Sequence, residues 1–262
     1  MTPALALERI TCTFPGAYTA VRDASLQVAP GEFVAVVGPT GCGKSTLLNV
    51  ADGLLPPSAG AVRVDGEPLR GLNRRAGYMF QADCLMPWRS AADNVGAGLQ
   101  FRGMDREQSL RRAEEWLARV GLEGFGHRYP HQLSGGMRKR VALAQTLILD
   151  PAIILMDEPF SALDVQTRQL MENELLELWS SNRKSVIFIT HDLEEAISLA
   201  DRVVVLSAGP GTRPIGEFAI DLARPRDVAE VRLTKRFLEL HRQIWELLKA
   251  EVLKGYAQQK RG

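Results

Sequence analysis

The stretch Gly38-Pro39-Thr40-Gly41-Cys42-Gly43-Lys44-Ser45-Thr46 follows the apolar run Phe33–Val37 and precedes a helical pattern that begins at Leu47. The pattern G-x-x-x-x-G-K-S/T between a strand and a helix is typical of a loop that binds nucleotide phosphates. Its glycines let backbone N–H groups close around phosphate oxygens without a clash from Cβ, and the positive end of the following helix points to the same anion. The stretch therefore predicts a nucleotide-binding loop at the end of a buried strand.

Two side chains of this glycine-rich loop have different predicted tasks. We expect Lys44 to reach the β- and γ-phosphates, and the Ser45 hydroxyl is placed to bind Mg²⁺. A glycine-rich turn that only resembles the motif is the alternative, and the strand and helix patterns on either side argue against it. The loop alone does not indicate what the nucleotide drives, because kinases, GTPases and motor ATPases share it.

Short apolar runs recur along the chain and alternate with helical patterns. Because these runs are almost continuously apolar, they predict strands that are buried on both faces of a sheet. Alternating strands and helices predict an α/β domain with a largely parallel sheet. The predicted strands are Phe33–Val37, Ile153–Met156, Ser185–Ile189 and Val203–Leu206.

A purely helical interval interrupts this alternation between about Asp83 and Asp150. Helical patterns occur there over Arg106–Val120 and Gly136–Leu149, and no apolar run in the interval indicates a strand. The interval therefore predicts a helical lobe at about residues 84–150 that is inserted into the α/β domain.

The α/β domain with its inserted lobe is predicted to span residues 1–208. A Pro/Gly-rich break at residues 209–214 follows it, and a helical pattern with one apolar face extends from about Leu233 to Val252. We therefore expect residues 209–262 to form a C-terminal extension that contains an amphipathic helix.

The composition argues against several classes of protein. Of the 262 residues, 45% are hydrophobic and 24% are charged, which is ordinary for a globular domain. The net charge of +1 argues against a dedicated nucleic-acid-binding protein, and three cysteines without a CxxC pair indicate neither a zinc site nor a disulfide framework. No signal peptide is recognisable, and no apolar run approaches the roughly 18 residues that span a bilayer. We therefore expect any role at a membrane to depend on partner subunits.

Two adjacent carboxylates, Asp157 and Glu158, follow the predicted strand Ile153–Met156. At the strand end Asp157 would lie beside the glycine-rich loop, where its oxygens can bind Mg²⁺, and Glu158 could orient or deprotonate an attacking water. A solvated strand end is the alternative for this pair when it is taken alone. His191 follows the next apolar run at the same edge of the sheet, where it could contact the γ-phosphate or have only a structural role.

The segment Leu133-Ser134-Gly135-Gly136-Met137 precedes a helical pattern. Ser134 can cap this helix, and the two glycines let a phosphate approach its N-terminus. A capped helix start without any ligand is the simpler interpretation when the segment is considered alone. The combination with the other motifs decides between the two interpretations.

These motifs resemble those of the ATP-binding-cassette (ABC) ATPases, in which they occur in the same order. The resemblance covers roughly Leu5 to Leu206, and several independent motifs in one order make it very specific. The motifs in chain order are the glycine-rich loop, Gln81, Leu133–Gly136, Asp157-Glu158, Ser161-Ala162-Leu163-Asp164 and His191.

The resemblance implies an ATPase with the P-loop NTPase fold, which has an α/β parallel-sheet core, an inserted helical subdomain and an antiparallel N-terminal β subdomain. Two such cassettes, most simply two identical chains, would pair head to tail. Each ATP would be clamped between the glycine-rich loop of one subunit and the signature sequence Ser134–Gly136 of the other. ATP would hold this dimer together until hydrolysis lets it open.

The same resemblance implies the roles of individual residues. Gln81 would sense Mg²⁺ and the membrane partner, and Asp164 would lie at the dimer seam. Phe14 would stack on adenine, although Tyr18 is a nearby alternative and either ring could instead belong to the core. The implied catalytic residues are Lys44, Glu158 and His191, and the implied metal ligands are Ser45, Gln81 and Asp157. The implied nucleotide-binding residues are Phe14, Gly38, Pro39, Thr40, Gly41, Cys42, Gly43, Lys44, Ser45, Thr46, Gln81, Ser134, Gly135 and Gly136.

Three segments resemble the subgroup of ABC importers that serve nitrate, sulfonate and taurine. Met137 stands where the signature usually has glutamine, and the stretches Cys84–Ser90 and Asp221–Asp227 also resemble that subgroup. The resemblance implies a peripheral subunit at the cytoplasmic face of the cell membrane. Its partners would be a second ATPase subunit, separate permease subunits and, indirectly, a solute-binding protein, with no nucleic acid.

Trp88 is a candidate contact for a membrane partner, and the number of motif sets helps to choose between two functions. An exposed Trp88 beside Pro87 would suit docking of a permease helix, and the alternative is a tryptophan that packs within the helical lobe. The alternative function is an ABC ATPase of translation or chromosome maintenance. Such proteins usually have two tandem cassettes or a long coiled coil, whereas this chain has one set of motifs.

Overall fold

The computed structural model describes residues 2–161 and 163–259, so that Ala162 of the Ser161–Asp164 motif and residues 260–262 of the predicted extension lie outside the described residues. The described strands are β1 (Leu5–Phe14), β2 (Tyr18–Val28), β3 (Phe33–Val37), β4 (Ala59–Val64), β5 (Glu67–Pro68), β6 (Ala76–Met79), β7 (Ile153–Asp157), β8 (Ser185–Ile189), β9 (Arg202–Leu206) and β10 (Pro214–Ala219). The described α-helices are α1 (Lys44–Asp52), α2 (Ala91–Phe101), α3 (Arg106–Arg119), α4 (Gly135–Leu147), α5 (Val165–Ser181), α6 (Leu193–Leu199), α7 (Val228–Arg232) and α8 (Lys235–Gln259).

The larger of two sheets has the strand order β10-β9-β3-β8-β7-β6. Strands β9, β3, β8, β7 and β6 run parallel, and β10 pairs with β9 in the antiparallel direction. The four strands predicted from apolar runs are present within one residue of their predicted bounds, which confirms the parallel α/β core. The sequence does not predict β6 and β10, because β6 has only four residues and β10 is only partly buried at the sheet edge.

Strand β3 lies at the centre of the packing because its two faces belong to two hydrophobic cores. Phe33, Ala35 and Val37 pack in the core that contains most of the helices, whereas Val34 and Val36 pack in the core shared with the smaller sheet. Successive side chains of a strand point to opposite faces. Both faces of β3 are therefore buried, which is the physical reason for its continuously apolar sequence.

The smaller sheet is antiparallel, with the strand order β2-β1-β4-β5. Leu7 of β1 and Leu26 of β2 share a core with Leu47 and Leu48 of α1 and with Val36 of β3. This sheet confirms the antiparallel N-terminal β subdomain. Because α1 packs against both sheets, the smaller sheet supports the helix that follows the glycine-rich loop.

Helices α2, α3 and α4 all lie between β6 and β7, the interval in which the sequence has only helical patterns. Ser90, Asp105 and Ser134 each accept a hydrogen bond from a backbone N–H in the first turn of one of these helices. Such caps replace partners that the first turn of a helix lacks. The inward faces of the helices, with Leu117 of α3 and Leu143 of α4, are fully buried.

The chain after residue 208 begins with a strand, since β10 extends the larger sheet beyond β9. The predicted amphipathic helix is present as α8, which starts two residues later than the sequence predicts and continues beyond the predicted end at Val252 to Gln259. Its apolar face is buried against the core through Phe237, Leu240, Ile244 and Leu248. In the described part of the chain, no helix combines the length and apolar character needed to cross a membrane.

Candidate nucleotide-binding site

Most of the predicted site residues lie at or just after the carboxyl ends of four neighbouring parallel strands. The glycine-rich loop follows β3, His191 follows β8, Asp157 and Glu158 lie at the end of β7, and Gln81 follows β6. Because β3, β8, β7 and β6 are consecutive in the sheet, their carboxyl ends form one edge. In open α/β sheets this edge is the usual place for a ligand.

The conformation of the glycine-rich loop requires glycine at particular positions. Gly41 and Gly43 have φ values of 74° and 114°, in a region that other residues rarely adopt. A Cβ on Gly43 would lie 3.3 Å from the Ala20 oxygen, and one on Gly38 would lie 3.1 Å from the Cys42 Sγ. Gly38 and Gly43 therefore leave little room for a side chain, and Gly41 and Gly43 have a backbone conformation that favours glycine. Such a loop can offer several N–H groups to one phosphate.

Lys44 is buried inside this loop. Its Nζ donates hydrogen bonds to the Gly38 oxygen at 2.9 Å and to the Pro39 oxygen at 3.0 Å. Among residues 2–161 and 163–259, no carboxylate lies within ion-pair distance of this ammonium, although a buried charge is normally paired. The ammonium thus has positive charge available for an anion, which fits a nucleotide phosphate.

Asp157 and Ser45 bring two kinds of oxygen donor together. Burial raises the pKa of Asp157, the neighbouring charge of Glu158 raises it further, and the Ser45 hydroxyl and the Lys44 ammonium partly offset the rise. A carboxylate and a hydroxyl are hard oxygen ligands of the kind that Mg²⁺ binds beside a phosphate chain. The donor set therefore fits a magnesium ion.

Glu158 is in contact with two side chains from other strands. Its Oε2 accepts a hydrogen bond from Gln81 Nε2 at 3.3 Å and lies 3.2 Å from His191 Nδ1. Its backbone has a φ of 45°, which is uncommon for a residue with a side chain. Its N–H is held by the Ile189 oxygen at 2.9 Å. The strand order brings these three residues, which are far apart in the sequence, into one cluster.

The signature sequence lies at the start of α4. Ser134 accepts a hydrogen bond from the Met137 N–H at 3.3 Å, and a Cβ on Gly136 would lie 3.2 Å from Thr167 Cγ2. Gly135 is more open, since its nearest neighbour would be the Arg138 guanidinium at 3.8 Å. Within residues 2–161 and 163–259, Ser134 has no hydrogen bond to the glycine-rich loop. The capped helix start that the sequence allows is thus present.

Phe14 and Tyr18 pair directly across the turn that joins β1 and β2. They are 37% and 49% exposed, so that neither ring belongs to the core, which was the structural alternative for both. Strand β2 passes beside the glycine-rich loop, because the Ala20 oxygen is the atom nearest to a Cβ on Gly43. Both rings are therefore accessible to a ligand, and Tyr18 belongs to the strand that passes beside the loop.

One further residue, Lys139, borders the cluster, and sequence reasoning does not single it out. Lys139 of α4 is only 2% exposed, donates a hydrogen bond to the Gln81 backbone oxygen and lies 3.5 Å from Asp83 Oδ1. The sequence signal that could have identified Lys139 is its position on the buried face of α4, four residues before Leu143 and seven before Thr146. A lysine at such a position needs a specific acceptor.

Comparison with known proteins relates these features to a family. The family model described as "ABC transporter" matches residues 21–161. The chain is 48% identical to the ABC transporter ATP-binding protein MJ0412 of Methanocaldococcus jannaschii over 90% of this chain and 86% of that protein. It is 49% identical to the taurine import ATP-binding protein TauB of Yersinia pestis over 73% of this chain and 75% of that protein.

A solved structure has the same fold. It is the dimeric ATP-binding cassette MJ0796 in a post-hydrolysis state, bound to ADP and Pi. The match has a TM-score of 0.76 and 33% sequence identity, and it covers 84% of this chain and 100% of that chain. The six-stranded sheet, the helices and the antiparallel sheet thus belong to a known architecture.

Proposed function

The chain belongs to the ABC transporter family and is an ATP-hydrolysing cassette, and from this we propose that it energises import of a small solute through separate permease subunits. Import is supported by the likeness to taurine import ATP-binding proteins. The observation that carries the hydrolytic part of the proposal is the cluster of Glu158, Gln81 and His191 beside the loop that contains Lys44. A carboxylate, an amide and an imidazole next to a phosphate-binding loop can orient a water and stabilise a transferring phosphoryl group.

Each residue has a proposed part in hydrolysis. Lys44 binds the β- and γ-phosphates together with the backbone N–H groups of residues 38–46, and Glu158 accepts a proton from the attacking water. His191 contacts the γ-phosphate from the β8 side, and Gln81 holds Glu158 in place from the β6 side. Ser45, Asp157 and Gln81 would hold Mg²⁺, which neutralises phosphate charge when bound.

The site is proposed to be completed by a second copy of the chain. Ser134, Gly135 and Gly136 of one subunit contact the γ-phosphate bound to the other, and Asp164 lies at the seam between them. The exposed Ser134 and the open side of Gly135 support this role, as does the dimeric state of the cassette MJ0796. ATP stabilises the closed dimer because only that state contacts the phosphate from both sides.

Trp88 is proposed to dock against a permease subunit at the cytoplasmic face of the membrane. Its side chain is 73% exposed, and nearby Phe101 is exposed at 77% with the Arg89 guanidinium 5.8 Å from its ring centre. Exposed aromatic rings beside an arginine are typical of protein-binding surfaces. This exposure argues against the alternative in which Trp88 packs within the helical lobe.

The transported solute is proposed to be a small anion or zwitterion of the nitrate, sulfonate or taurine type. The support is the likeness to taurine import ATP-binding proteins, at 49% identity in Yersinia pestis and 45% in Pseudomonas putida. A solute-binding protein would deliver the solute to the permease. The selectivity would then reside in those partners.

Replacing Glu158 with Gln tests the proposed hydrolysis. An amide cannot accept the proton of water, so we expect the rate of ATP hydrolysis to fall by about 10²-fold or more. ATP binding should persist, and size-exclusion chromatography with ATP should reveal a stable dimer. The matched control is Glu177→Gln on the exposed face of α5, which should leave hydrolysis unchanged. Undiminished turnover in Glu158→Gln would contradict the role of this carboxylate.

A further inference from the structure

Lys139 is a buried cation whose partners all belong to the segment that carries Gln81. The residue lies in the second turn of α4, and its Nζ donates to the Gln81 backbone oxygen and lies 3.5 Å from Asp83 Oδ1. Burying an ammonium is costly unless it is both paired and hydrogen-bonded. The two acceptors satisfy that requirement, so this ammonium strongly favours one position of residues 81–83 relative to α4.

A second cation from the same helix holds Asp83. Arg138 Nε lies 2.8 Å from Asp83 Oδ2, and Arg138 also donates to the Leu133 oxygen at 2.8 Å. Leu133 is the residue that directly precedes Ser134 of the signature sequence. The backbone at the start of the signature sequence is thereby connected through Arg138 to Asp83.

The connection continues into the hydrolytic cluster. The side chain of Gln81 donates to Glu158 Oε2 at 3.3 Å, and the same oxygen lies 3.2 Å from His191 Nδ1. Gln81 is itself exposed, and an exposed glutamine otherwise has several rotamers available. Its contact with Glu158 therefore depends on a fixed backbone position, and that position is what Lys139 holds.

We propose that Lys139 is a positioning residue for ATP hydrolysis, which holds the Gln81 backbone so that the Gln81 amide meets Glu158. Asp83 orients the Lys139 ammonium from the other side. Because Arg138 and Lys139 both belong to the signature helix α4 and hold Asp83 and the Gln81 backbone, a displacement of that helix is transmitted through Gln81 to Glu158. This inference rests on the proposed function, in which Glu158 carries hydrolysis.

A merely structural lysine and a positioning lysine predict different results in a double-mutant cycle. If Lys139 acts through Gln81, its replacement has no further effect once the Gln81 side chain has been removed. If Lys139 only stabilises the fold, its effect on turnover is the same in both backgrounds. Residues that act through one another are non-additive in such cycles, whereas independent sites add.

The experiment measures kcat and KM for ATP in the full chain for Lys139→Met, Gln81→Ala and the double variant. Methionine has a similar length without the charge, and Gln81→Ala keeps the backbone oxygen. We expect Lys139→Met to lower kcat about tenfold, as loss of one charge-assisted hydrogen bond would, with KM changed less than about twofold. The double variant should be no slower than Gln81→Ala. Additive losses, or an unchanged kcat in Lys139→Met, would overturn the proposal.

Two further variants keep the result interpretable. Lys184→Met is the matched control. Lys184 pairs with Asp150 at 2.8 Å and directly precedes the first residue of β8, at the end of the strand away from His191, so this variant should leave kcat unchanged. If Lys139→Met does not fold, Asp83→Asn removes the carboxylate charge that orients the same ammonium, at a partly exposed position, and should give the same non-additivity with Gln81→Ala. An unchanged kcat in Gln81→Ala alone would instead refute the role of Gln81 in the proposed function. That outcome is distinct from additivity, which would refute only the role of Lys139.

Discussion

Lys44 is held by the loop itself, because its ammonium contacts the Gly38 and Pro39 oxygens at 2.9 and 3.0 Å. A lysine in solution samples many rotamers, and ordering it on binding costs about 1.5–2 kcal/mol. In the folded protein the two hydrogen bonds to the loop order the Lys44 side chain, so this entropic cost is offset by folding and not by ATP binding. The lysine is therefore preorganised for a phosphate, and its charge is not neutralised by a carboxylate in ion-pair contact within the described ranges.

Replacing Lys44 with Ala should weaken ATP binding by at least about tenfold, because a charge-assisted hydrogen bond contributes about 1.5–3 kcal/mol. The measurement is titration with a fluorescent ATP analogue, with steady-state turnover measured in parallel. Lys184→Ala, which removes a lysine remote from the loop, should leave the affinity unchanged. Equal affinities for Lys44→Ala and the original chain would exclude the phosphate role of this residue.

Glu195 is a second residue whose charge the fold controls. Burial raises the pKa of its carboxyl to about 7, although the Thr190 hydroxyl, which donates to Glu195 Oε2 at 2.6 Å, and the positive charge of Arg168 act in the opposite direction. The carboxyl in the unfolded chain has its ordinary pKa of 4.5. The native state therefore binds the proton more tightly, and this stabilisation is complete below about pH 4.5 and lost as the pH rises through about 7.

The variant Glu195→Gln tests this pH dependence through the difference in free energy of unfolding between the variant and the original chain. Glutamine accepts the Thr190 hydrogen bond without a charge, so its advantage over Glu195 should grow by about 1–3 kcal/mol between pH 5 and pH 8. Urea unfolding at several pH values measures the gap, and all other titrating groups are common to both proteins. A gap that is independent of pH would mean that Glu195 is ionised in the folded protein.

Helix α8 is the element that joins the C-terminal residues to the nucleotide site. Glu251 Oε2 accepts a hydrogen bond from the Ala208 N–H at 2.8 Å, and Ala208 follows the end of β9 by two residues. A Cβ on Gly255 would lie 3.6 Å from Pro39 Cβ, which places the last turns of α8 against the start of the glycine-rich loop. The helix thus packs against the loop at Pro39.

The variant Glu251→Ala should loosen this support. It leaves the Ala208 N–H without its acceptor, which should lower the free energy of unfolding by about 1–2 kcal/mol and weaken ATP binding several-fold through the loop. Chemical denaturation and ATP titration measure the two effects. Glu246→Ala, on the exposed face of the same helix, serves as the control and should change neither quantity. An unaltered Glu251→Ala protein would mean that α8 does not support the loop.

The molecule as a whole combines an ATP-hydrolysing edge with an exposed aromatic surface formed by Trp88 and Phe101. The segment after β6 contributes to both surfaces. It contains Gln81 of the hydrolytic edge and Trp88 of the aromatic surface, which are only seven residues apart. Asn94 fixes the loop between them, since its side-chain amide donates to the oxygens of Met86 and Arg89 at 3.1 Å. A partner that binds at Trp88 would therefore contact a segment that Asn94 holds in place and that also carries Gln81.

Replacing Trp88 with Ala should reduce solute transport while ATP hydrolysis by the isolated chain persists, because the ring is 73% exposed and is not part of the hydrolytic cluster. Hot-spot tryptophans contribute about 2 kcal/mol or more to an interface, so coupling should fall at least about tenfold. Reconstituted vesicles that contain the permease provide the measurement. Trp245→Ala, which removes another exposed tryptophan on α8, is the matched control. Full transport with Trp88→Ala would place the docking surface elsewhere.

Local patterns in the sequence determined much of the architecture. The continuous apolar run Phe33–Val37 predicts a doubly buried strand, and the structure has β3 between two cores. The segment that begins with Ser134 predicts a capped helix, and α4 starts there with the Ser134 hydroxyl as its cap. Such signals are readable because strand burial, turn chemistry and helix caps each involve residues a few positions apart.

The tertiary structure alone decided which of these elements meet. The order β3-β8-β7-β6 brings Gln81, Glu158 and His191 together, although up to 110 positions separate them in the sequence (191 − 81 = 110). The edge strand β10 and the short β6 carry too few buried residues to be recognised locally, and the acceptors of Lys139 lie on another segment. Strand order and buried ion pairs depend on long-range packing, so a single sequence contains their residues without indicating which of them will be neighbours.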